Sequence, residues 1–189
     1  MAPHHRPAHP AYAAHGRILT RLNDAFPDLI VIGDQTQPVY GANLSYDPPR
    51  PRSYFSSSTG FGTLGYAVPA AFGAKLGCPG DRVLSLIGDG GFQFTLAELA
   101  AGVELGLPVP IRVWNNRGYG EIKQCRRDGQ IPEIGVDIYT PDFLAIARRF
   151  VAHAGKAASL EALASAVVAA FEADRPTVIE LDDQEARFW

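Results

Sequence analysis

The clearest evidence for the fold class lies in residues 82–116, which read RVLSLIGDGGFQFTLAELAAGVELGLPVPIRVWNN. The first part of this stretch, Arg82 to Ile87, is a largely apolar run and predicts a buried parallel strand. A glycine-rich turn follows, then a predicted helix from about Thr95 to Leu105 and a second strand from Pro110 to Trp114. The stretch is therefore predicted to form one β-α-β unit, whose two strands run in the same direction.

The same alternation continues on both sides of this unit. Before it, the sequence predicts a helix, a buried strand and a small-residue helix, over residues 11–26, 29–32 and 66–76. After it, two helices and a strand are predicted over residues 143–150, 159–173 and 177–181. Residues 35–58 show no periodicity and are predicted to form a long loop. This order predicts an α/β domain, doubly wound, with a mostly parallel sheet and helices on both faces.

Length and composition limit the possible functions. The chain has 189 residues, 47% of them hydrophobic, which is enough for one domain over residues 11–189. The first ten residues, rich in His and Pro, are expected to be a disordered leader. A net charge of −3, from 17 basic and 20 acidic residues, argues against a nucleic-acid partner. No apolar stretch approaches the roughly 20 residues of a membrane helix. Two cysteines are too few for a disulfide framework, so a reducing, cytoplasmic location is expected.

The turn Gly88-Asp89-Gly90-Gly91 has the chemistry of a phosphate and metal site. Glycines let backbone N–H groups approach an anion, and the start of a helix adds a positive dipole end. Asp89 adds a carboxylate, which repels a phosphate unless a cation lies between them, and Mg²⁺ commonly bridges such groups. Asn115 and Asn116 end the next strand, so the β-α-β unit is expected to bring an amide oxygen beside Asp89.

The residues between the Gly-Asp-Gly turn and the Asn115-Asn116 pair belong to the same sequence motif. Gly-Asp-Gly, followed by Phe92, Thr95 and Glu98-Leu99, and closed by Asn-Asn, resembles the diphosphate and metal motif of thiamine diphosphate enzymes. A second stretch, Phe61 to Ala74, is similar to a segment of acetolactate synthases and related 2-oxo-acid enzymes. The resemblance implies that Leu64 wedges under the bent cofactor, and that the backbones of Gly62 and Leu64 bind its aminopyrimidine ring. The alternative for Leu64 is an ordinary core leucine.

The resemblance also implies a ligand set. Mg²⁺ would be bound by the side chains of Asp89 and Asn116 and by the backbone carbonyl of Gly118, with two diphosphate oxygens and a water. The other cofactor contacts that it implies are Thr36, Gln37, Gly88, Gly90, Gly91 and Tyr119. For Thr36 and Gln37 a solvated loop is the alternative. Glu121 stands where acetolactate synthases usually have an apolar residue, and both a surface glutamate and a pocket acid are possible there.

One part of the implied site has no counterpart in this sequence. In the family, a glutamate on a pyrimidine-binding domain activates the cofactor, and none of Glu98, Glu104 and Glu121 has the matching context. We therefore expect a pyrimidine-binding domain or partner subunit, within a homo- or hetero-oligomer. The implied activity is that of an acetolactate synthase-like or decarboxylase-like enzyme, a carbon–carbon lyase or carboligase acting on a small 2-oxo acid. The alternative is a non-catalytic scaffold or regulatory module that retains the fold.

Overall fold

The computed structural model describes residues 10–183, with side chains from Gly16 onward. The predicted leader lies outside this range except for Pro10, where the first helix begins. The elements are α1 (Pro10–Ala25), β1 (Ile30–Gly33), α2 (Gln37–Ser45), β2 (Tyr54–Ser56), α3 (Ala67–Gly77), β3 (Val83–Gly88), α4 (Asp89–Phe94), α5 (Glu98–Glu104), β4 (Pro110–Asn115), α6 (Gly120–Asp128), α7 (Phe143–Arg149), β5 (His153–Lys156), α8 (Leu160–Phe171) and β6 (Thr177–Asp182).

The six strands form one sheet in the order β2-β1-β3-β4-β6-β5, and every neighbouring pair is parallel. The expectation of a mostly parallel sheet is thus confirmed. The chain leaves β1 towards β2 at one edge and then returns to add β3 on the other side of β1. A crevice opens where the winding reverses in this way, and ligands of doubly wound sheets bind there, beyond the carboxyl ends of the strands.

Alternating side chains of the strands fill two cores, one on each face of the sheet. Leu84 and Leu86 of β3 point into the core that α1, α2 and α8 cover. Val83 and Ile87 of the same strand point into the core under α3, α5 and α7. Both faces of β3 and β4 are buried, which explains why these strands read as continuous apolar runs. The predicted helices on both faces are confirmed.

Two predictions of local structure are wrong. The stretch 35–58 is not a featureless loop, because it contains α2 and the short strand β2. The helix predicted over 95–105 is shorter, since α5 begins at Glu98, and a separate helix that was not predicted, α4, begins at Asp89 directly after β3. Nothing in the sequence reading anticipates α6 or β5. All of their residues are partly or fully exposed, so few apolar side chains mark these elements in the sequence.

Within residues 10–183, none of the helices combines the length and the apolar character that a membrane crossing requires.

Candidate functional site

A cavity of about 400 Å³ opens at the carboxyl ends of β1, β3 and β4. Every residue predicted for the site lines it: Thr36, Gln37, Gly62, Leu64, Gly88, Asp89, Gly90, Gly91, Asn116, Gly118 and Tyr119. Five further residues complete the lining, namely Gln35, Tyr40, Gly120, Glu121 and Ile122. The cavity thus lies at the point where the sheet reverses its winding, the place where a doubly wound fold binds its ligand.

A carboxylate, an amide and a carbonyl converge at one side of this cavity. The end of the Asn116 side-chain amide lies 2.8 Å from the carbonyl oxygen of Gly118 and 3.1 Å from Oδ1 of Asp89. Without a cation, hydrogen bonding favours the amide nitrogen at this place, where it donates to both oxygens; a 180° rotation of the amide would bring its oxygen to the same place to bind a cation with them. Adjacent ligands of an octahedral Mg²⁺ are about 2.8–3.0 Å apart, given Mg–O distances of about 2.0–2.1 Å. The group therefore fits Mg²⁺.

The carboxylate of Asp89 is held in place by the fold. It is the first residue of α4 and is 2% exposed. Its Oδ2 accepts a hydrogen bond from the backbone N–H of Gly118 at 2.9 Å, which fixes the loop after β4 against the turn after β3. Burial raises the pKa of Asp89, because a carboxylate removed from water favours its neutral form. A cation at this place would compensate the buried charge.

No other metal site competes with this group in the part of the chain that the structure describes. Among residues 10–183, no three His, Cys, Asp or Glu side chains come together as a metal would require.

The glycines of the β3-α4 turn permit close packing around the cavity. A Cβ atom at Gly90 would lie 2.7 Å from Cε1 of Tyr119, and one at Gly88 would lie 3.2 Å from Oγ1 of Thr36. A side chain at either position would push Tyr119 or Thr36 out of place. The bare backbone of this turn, at the start of α4, is accessible to an anion.

Asp34 anchors the second predicted segment, and sequence reasoning did not assign it a role. It follows β1 and is fully buried. One carboxylate oxygen accepts from the N–H of Gln35 at 2.8 Å, and the other accepts from the N–H of Ala67, at the start of α3, at 3.2 Å. Burial raises the pKa of Asp34. This clamp fixes the end of the segment that carries Gly62 and Leu64. The signal that could have revealed it is a carboxylate directly after a buried strand.

The structure places the four residues whose roles had alternatives, and Thr36, which is buried, lines the cavity. Leu64 is half-buried, lines the cavity and belongs to neither core cluster. Gln37 also lines it, and its Oε1 accepts a hydrogen bond from Trp114 Nε1 at 3.1 Å. Glu121 is half-buried at the start of α6 and lines the cavity as well.

Comparison with known proteins gives a consistent result. The family described as "Thiamine pyrophosphate enzyme, C-terminal TPP binding domain" matches residues 34–181. A probable 2-ketoarginine decarboxylase of Pseudomonas aeruginosa is 40% identical over 96% of this chain and 33% of its own length. An acetolactate synthase large subunit of Corynebacterium glutamicum is 33% identical over 91% of this chain and 29% of its own.

A solved structure matches as well. A thiamine diphosphate-dependent 4-hydroxybenzoylformate decarboxylase of Rhodococcus jostii superposes with a TM-score of 0.78 at 26% identity. The match covers 93% of this chain and 33% of that one. The chain thus spans about a third of the length of the relatives it matches.

Proposed function

The chain belongs to the thiamine pyrophosphate enzymes, as their C-terminal cofactor-binding domain, and we propose on that premise that its cavity holds the diphosphate of thiamine diphosphate and a Mg²⁺ ion. The observation that carries the proposal is the convergence of the Asp89 carboxylate, the Asn116 amide and the Gly118 carbonyl at one side of the cavity, with the amide 2.8 and 3.1 Å from the two oxygens. A buried carboxylate beside these groups, in a cavity at the carboxyl ends of the strands, argues against the scaffold alternative.

Each part of the cavity has a role in this proposal. Asp89, Asn116 and the carbonyl of Gly118 bind the metal. The backbone of Gly88, Gly90 and Gly91, with the side chains of Thr36 and Gln37, binds the diphosphate. Gly62, Leu64 and Tyr119 contact the organic part of the cofactor. When bound, thiamine diphosphate supplies the electron sink for reactions at a carbon next to a carbonyl. The protein supplies orientation and charge balance.

We propose that the reaction is the cleavage or formation of a carbon–carbon bond next to the carbonyl of a small 2-oxo acid. The names of the relatives support this class, since they include two decarboxylases and an acetolactate synthase. Both cysteines of the chain are free and exposed, which supports a reducing, cytoplasmic location.

The proposal includes a second protein surface. Large aromatic side chains near the cavity are exposed to solvent. Phe61, beside Gly62, is 99% exposed, and the exposed side chains of Phe94 and Tyr139 lie near Tyr119. Such exposed apolar groups are typical of surfaces that another domain or subunit covers. They support a pyrimidine-binding domain or subunit at this face, which would bring the activating glutamate and make the active unit an oligomer.

Calorimetry on the full-length enzyme, or on the chain assembled with its pyrimidine-binding partner, tests this function. We expect thiamine diphosphate to bind only with Mg²⁺ present, and Asp89→Ala and Asn116→Ala to weaken that binding about 100-fold or more. Asp128→Asn, which removes a carboxylate that does not line the cavity, is the matched control. Undiminished cofactor binding in both alanine variants would remove the metal assignment.

A further inference from the structure

The loop that follows β4 contains a backbone conformation that its residue type disfavours. Residues 116–118, here called the metal loop, carry two of the groups proposed to bind Mg²⁺, the Asn116 amide and the Gly118 carbonyl. Arg117 lies between them with a φ of 58°, in the left-handed region that side chains with a Cβ atom rarely adopt. A residue other than glycine keeps such a conformation when the surrounding structure enforces it.

The backbone of the metal loop is held by the last residue of β4. Asn115 is 4% exposed and does not line the cavity. Its Oδ1 accepts a hydrogen bond from the backbone N–H of Arg117 at 3.2 Å, and its Nδ2 donates to Oε1 of Glu180 in β6 at 2.6 Å. Its carbonyl accepts from the N–H of Asp183 at 2.9 Å. Asn115 therefore ties the turn at Arg117 to the neighbouring strand.

The side chain of Arg117 is attached to the same strand. Its Nη2 pairs with Oδ2 of Asp182, the last residue of β6, which lies opposite Asn115 in the register of the sheet. The Asp182 side chain is 4% exposed, and Lys156 Nζ lies 3.9 Å from the same oxygen. Because partly buried ion pairs are screened less than exposed ones, this pair constrains the loop more than a pair on the open surface does.

Arg117 itself does not line the cavity, so any effect on the metal acts through its neighbours. Asn116 precedes it, and Gly118 follows it and donates its backbone N–H to Oδ2 of Asp89 at 2.9 Å. A change of φ at Arg117 would rotate the Gly118 carbonyl relative to the Asn116 amide. The left-handed turn therefore decides whether these groups face the same point.

We propose that Arg117 is a positioning residue for the metal, whose ion pair with Asp182 holds the metal loop in the left-handed turn that presents Asn116 and Gly118 to Mg²⁺. This inference rests on the proposed function, because it takes the metal to be bound at this place. It deepens that function by giving β6, none of whose residues lines the cavity, a part in metal binding.

The sign of one substitution separates positioning from simple electrostatics. The positive charge of Arg117 by itself repels a nearby cation, so Arg117→Ala would strengthen Mg²⁺ binding if only this charge mattered. We expect the opposite: the Kd of Mg²⁺ should rise about 10- to 100-fold, the usual effect of losing a residue that orients a metal ligand. Alanine also has a Cβ atom, so the substitution removes the ion pair without making the left-handed conformation easier.

Three further variants of the pair give graded results. Arg117→Lys keeps a cation for its single contact with Asp182 and should recover most of the affinity. Arg117→Gly should bind Mg²⁺ more tightly than Arg117→Ala, because glycine adopts a positive φ at little cost. Asp182→Asn should weaken binding in the wild type and have a smaller effect in Arg117→Ala, where its partner is already gone.

The matched control is Arg149→Ala, which removes the same charge from an exposed position at the end of α7, outside the lining of the cavity. Its Kd for Mg²⁺ should equal that of the wild type. Calorimetric titration of Mg²⁺ in the presence of thiamine diphosphate measures these constants, on the full-length enzyme or on the chain assembled with its pyrimidine-binding partner.

Thermal unfolding gives a second readout. Mg²⁺ with thiamine diphosphate should raise the Tm of the wild type, since a ligand that binds only the folded state stabilises it. The rise should be smaller in Arg117→Ala. Because each rise is measured from the Tm of the same variant without metal and cofactor, an effect of the substitution on the fold itself does not enter it.

The outcomes are distinct. If the wild type binds Mg²⁺ and Arg117→Ala binds it as tightly or more tightly, the inference is overturned and the proposed function stays intact. An equal effect of Asp182→Asn in the wild type and in Arg117→Ala would also overturn the inference, since the two residues would then act independently. If the wild type binds neither Mg²⁺ nor thiamine diphosphate, the proposed function fails, and the inference fails with it.

Discussion

The side-chain amide of Asn116 lies 3.1 Å from the carboxylate oxygen Oδ1 of Asp89, a distance that suits a donated hydrogen bond or, with the amide rotated, two ligands of one cation. The two residues follow different strands, β4 and β3, which are neighbours in the sheet with Gly88 opposite Trp114. The sheet therefore holds the two side chains together before any cation binds. Such an arrangement is preorganised for a cation.

Asp89 and Asn116 are expected to act as a unit. If both hold one Mg²⁺ ion, the first substitution already removes the ion, and the second has little left to remove. We predict that the double variant Asp89→Asn/Asn116→Ala binds Mg²⁺ and thiamine diphosphate almost as well as whichever single variant binds them less tightly. The Kd of the double variant should be at most about threefold higher. Calorimetry on the assembled enzyme measures this. Losses that multiply would show that the two side chains bind independently.

Gly90 is expected to tolerate no side chain. A Cβ atom there would lie 2.7 Å from the ring of Tyr119 and 3.3 Å from Ile138. We predict that Gly90→Ala lowers the free energy of unfolding by about 1–3 kcal/mol, the usual cost of overpacking. Adding Tyr119→Ala should recover part of this loss.

The matched control for this substitution is Gly73→Ala, in α3, where a Cβ atom would meet nothing within 4 Å. It should stabilise the fold by about 0.5–1 kcal/mol through helix propensity. Thermal and urea unfolding give both values. A Gly90→Ala variant as stable as the wild type would contradict the tight packing of Tyr119.

Leu64 is expected to matter for the cofactor more than for the fold. It is half-buried and contributes to neither core cluster, so Leu64→Ala should change the free energy of unfolding by less than about 1 kcal/mol. Cofactor binding and turnover should fall about 10- to 100-fold, and Leu64→Met should retain both, because its side chain has a similar volume.

Leu99→Ala, in contrast to Leu64→Ala, is expected to affect the stability of the fold. Leu99 is fully buried in the core under α5, so its truncation should cost about 2–5 kcal/mol. A large loss of stability in Leu64→Ala would instead identify Leu64 as an ordinary core leucine.

Asp34 is expected to make stability depend on pH. Because burial raises its pKa, the folded protein binds the Asp34 proton more tightly than the unfolded chain does. Its titration therefore favours the fold most at low pH, below the ordinary pKa of an aspartate, and this contribution is lost as pH rises through the raised value. We predict that the free energy of unfolding of the wild type, minus that of Asp34→Asn, decreases from acidic to neutral pH.

At neutral pH the wild type should still be the more stable of the two, by about 1–3 kcal/mol, since asparagine leaves one buried N–H without its acceptor. Urea unfolding across the pH range measures both effects. Asp24→Asn, at an exposed position of α1, is the control for the substitution itself and should change the free energy of unfolding by less than about 0.5 kcal/mol. A difference for Asp34→Asn that rises with pH would have the wrong sign for a buried carboxylate.

The elements that could be predicted from the sequence are those that bury apolar side chains. β3 and β4 lie on both cores and are continuous apolar runs, so their positions follow within one residue of the prediction. β5 is an edge strand with exposed residues, and α6 has no buried residue. The spacing of apolar residues in a sequence reflects which side chains are buried, so an element that buries few side chains cannot be predicted from that spacing.

The same distinction applies to the site, where some residues could be predicted from local sequence and others could not. The sequence alone predicted which groups form the site, because Gly88 to Gly91 and Asn116 stand at strand ends, where parallel strands direct their loops to one edge. The packing of Thr36 against Gly88, the clamp of Asp34 on α3 and the position of Glu121 in the cavity could be found only in the folded chain. These contacts join segments far apart in the chain. They depend on the strand order β2-β1-β3-β4, which pairing across the sheet sets and which no local pattern encodes.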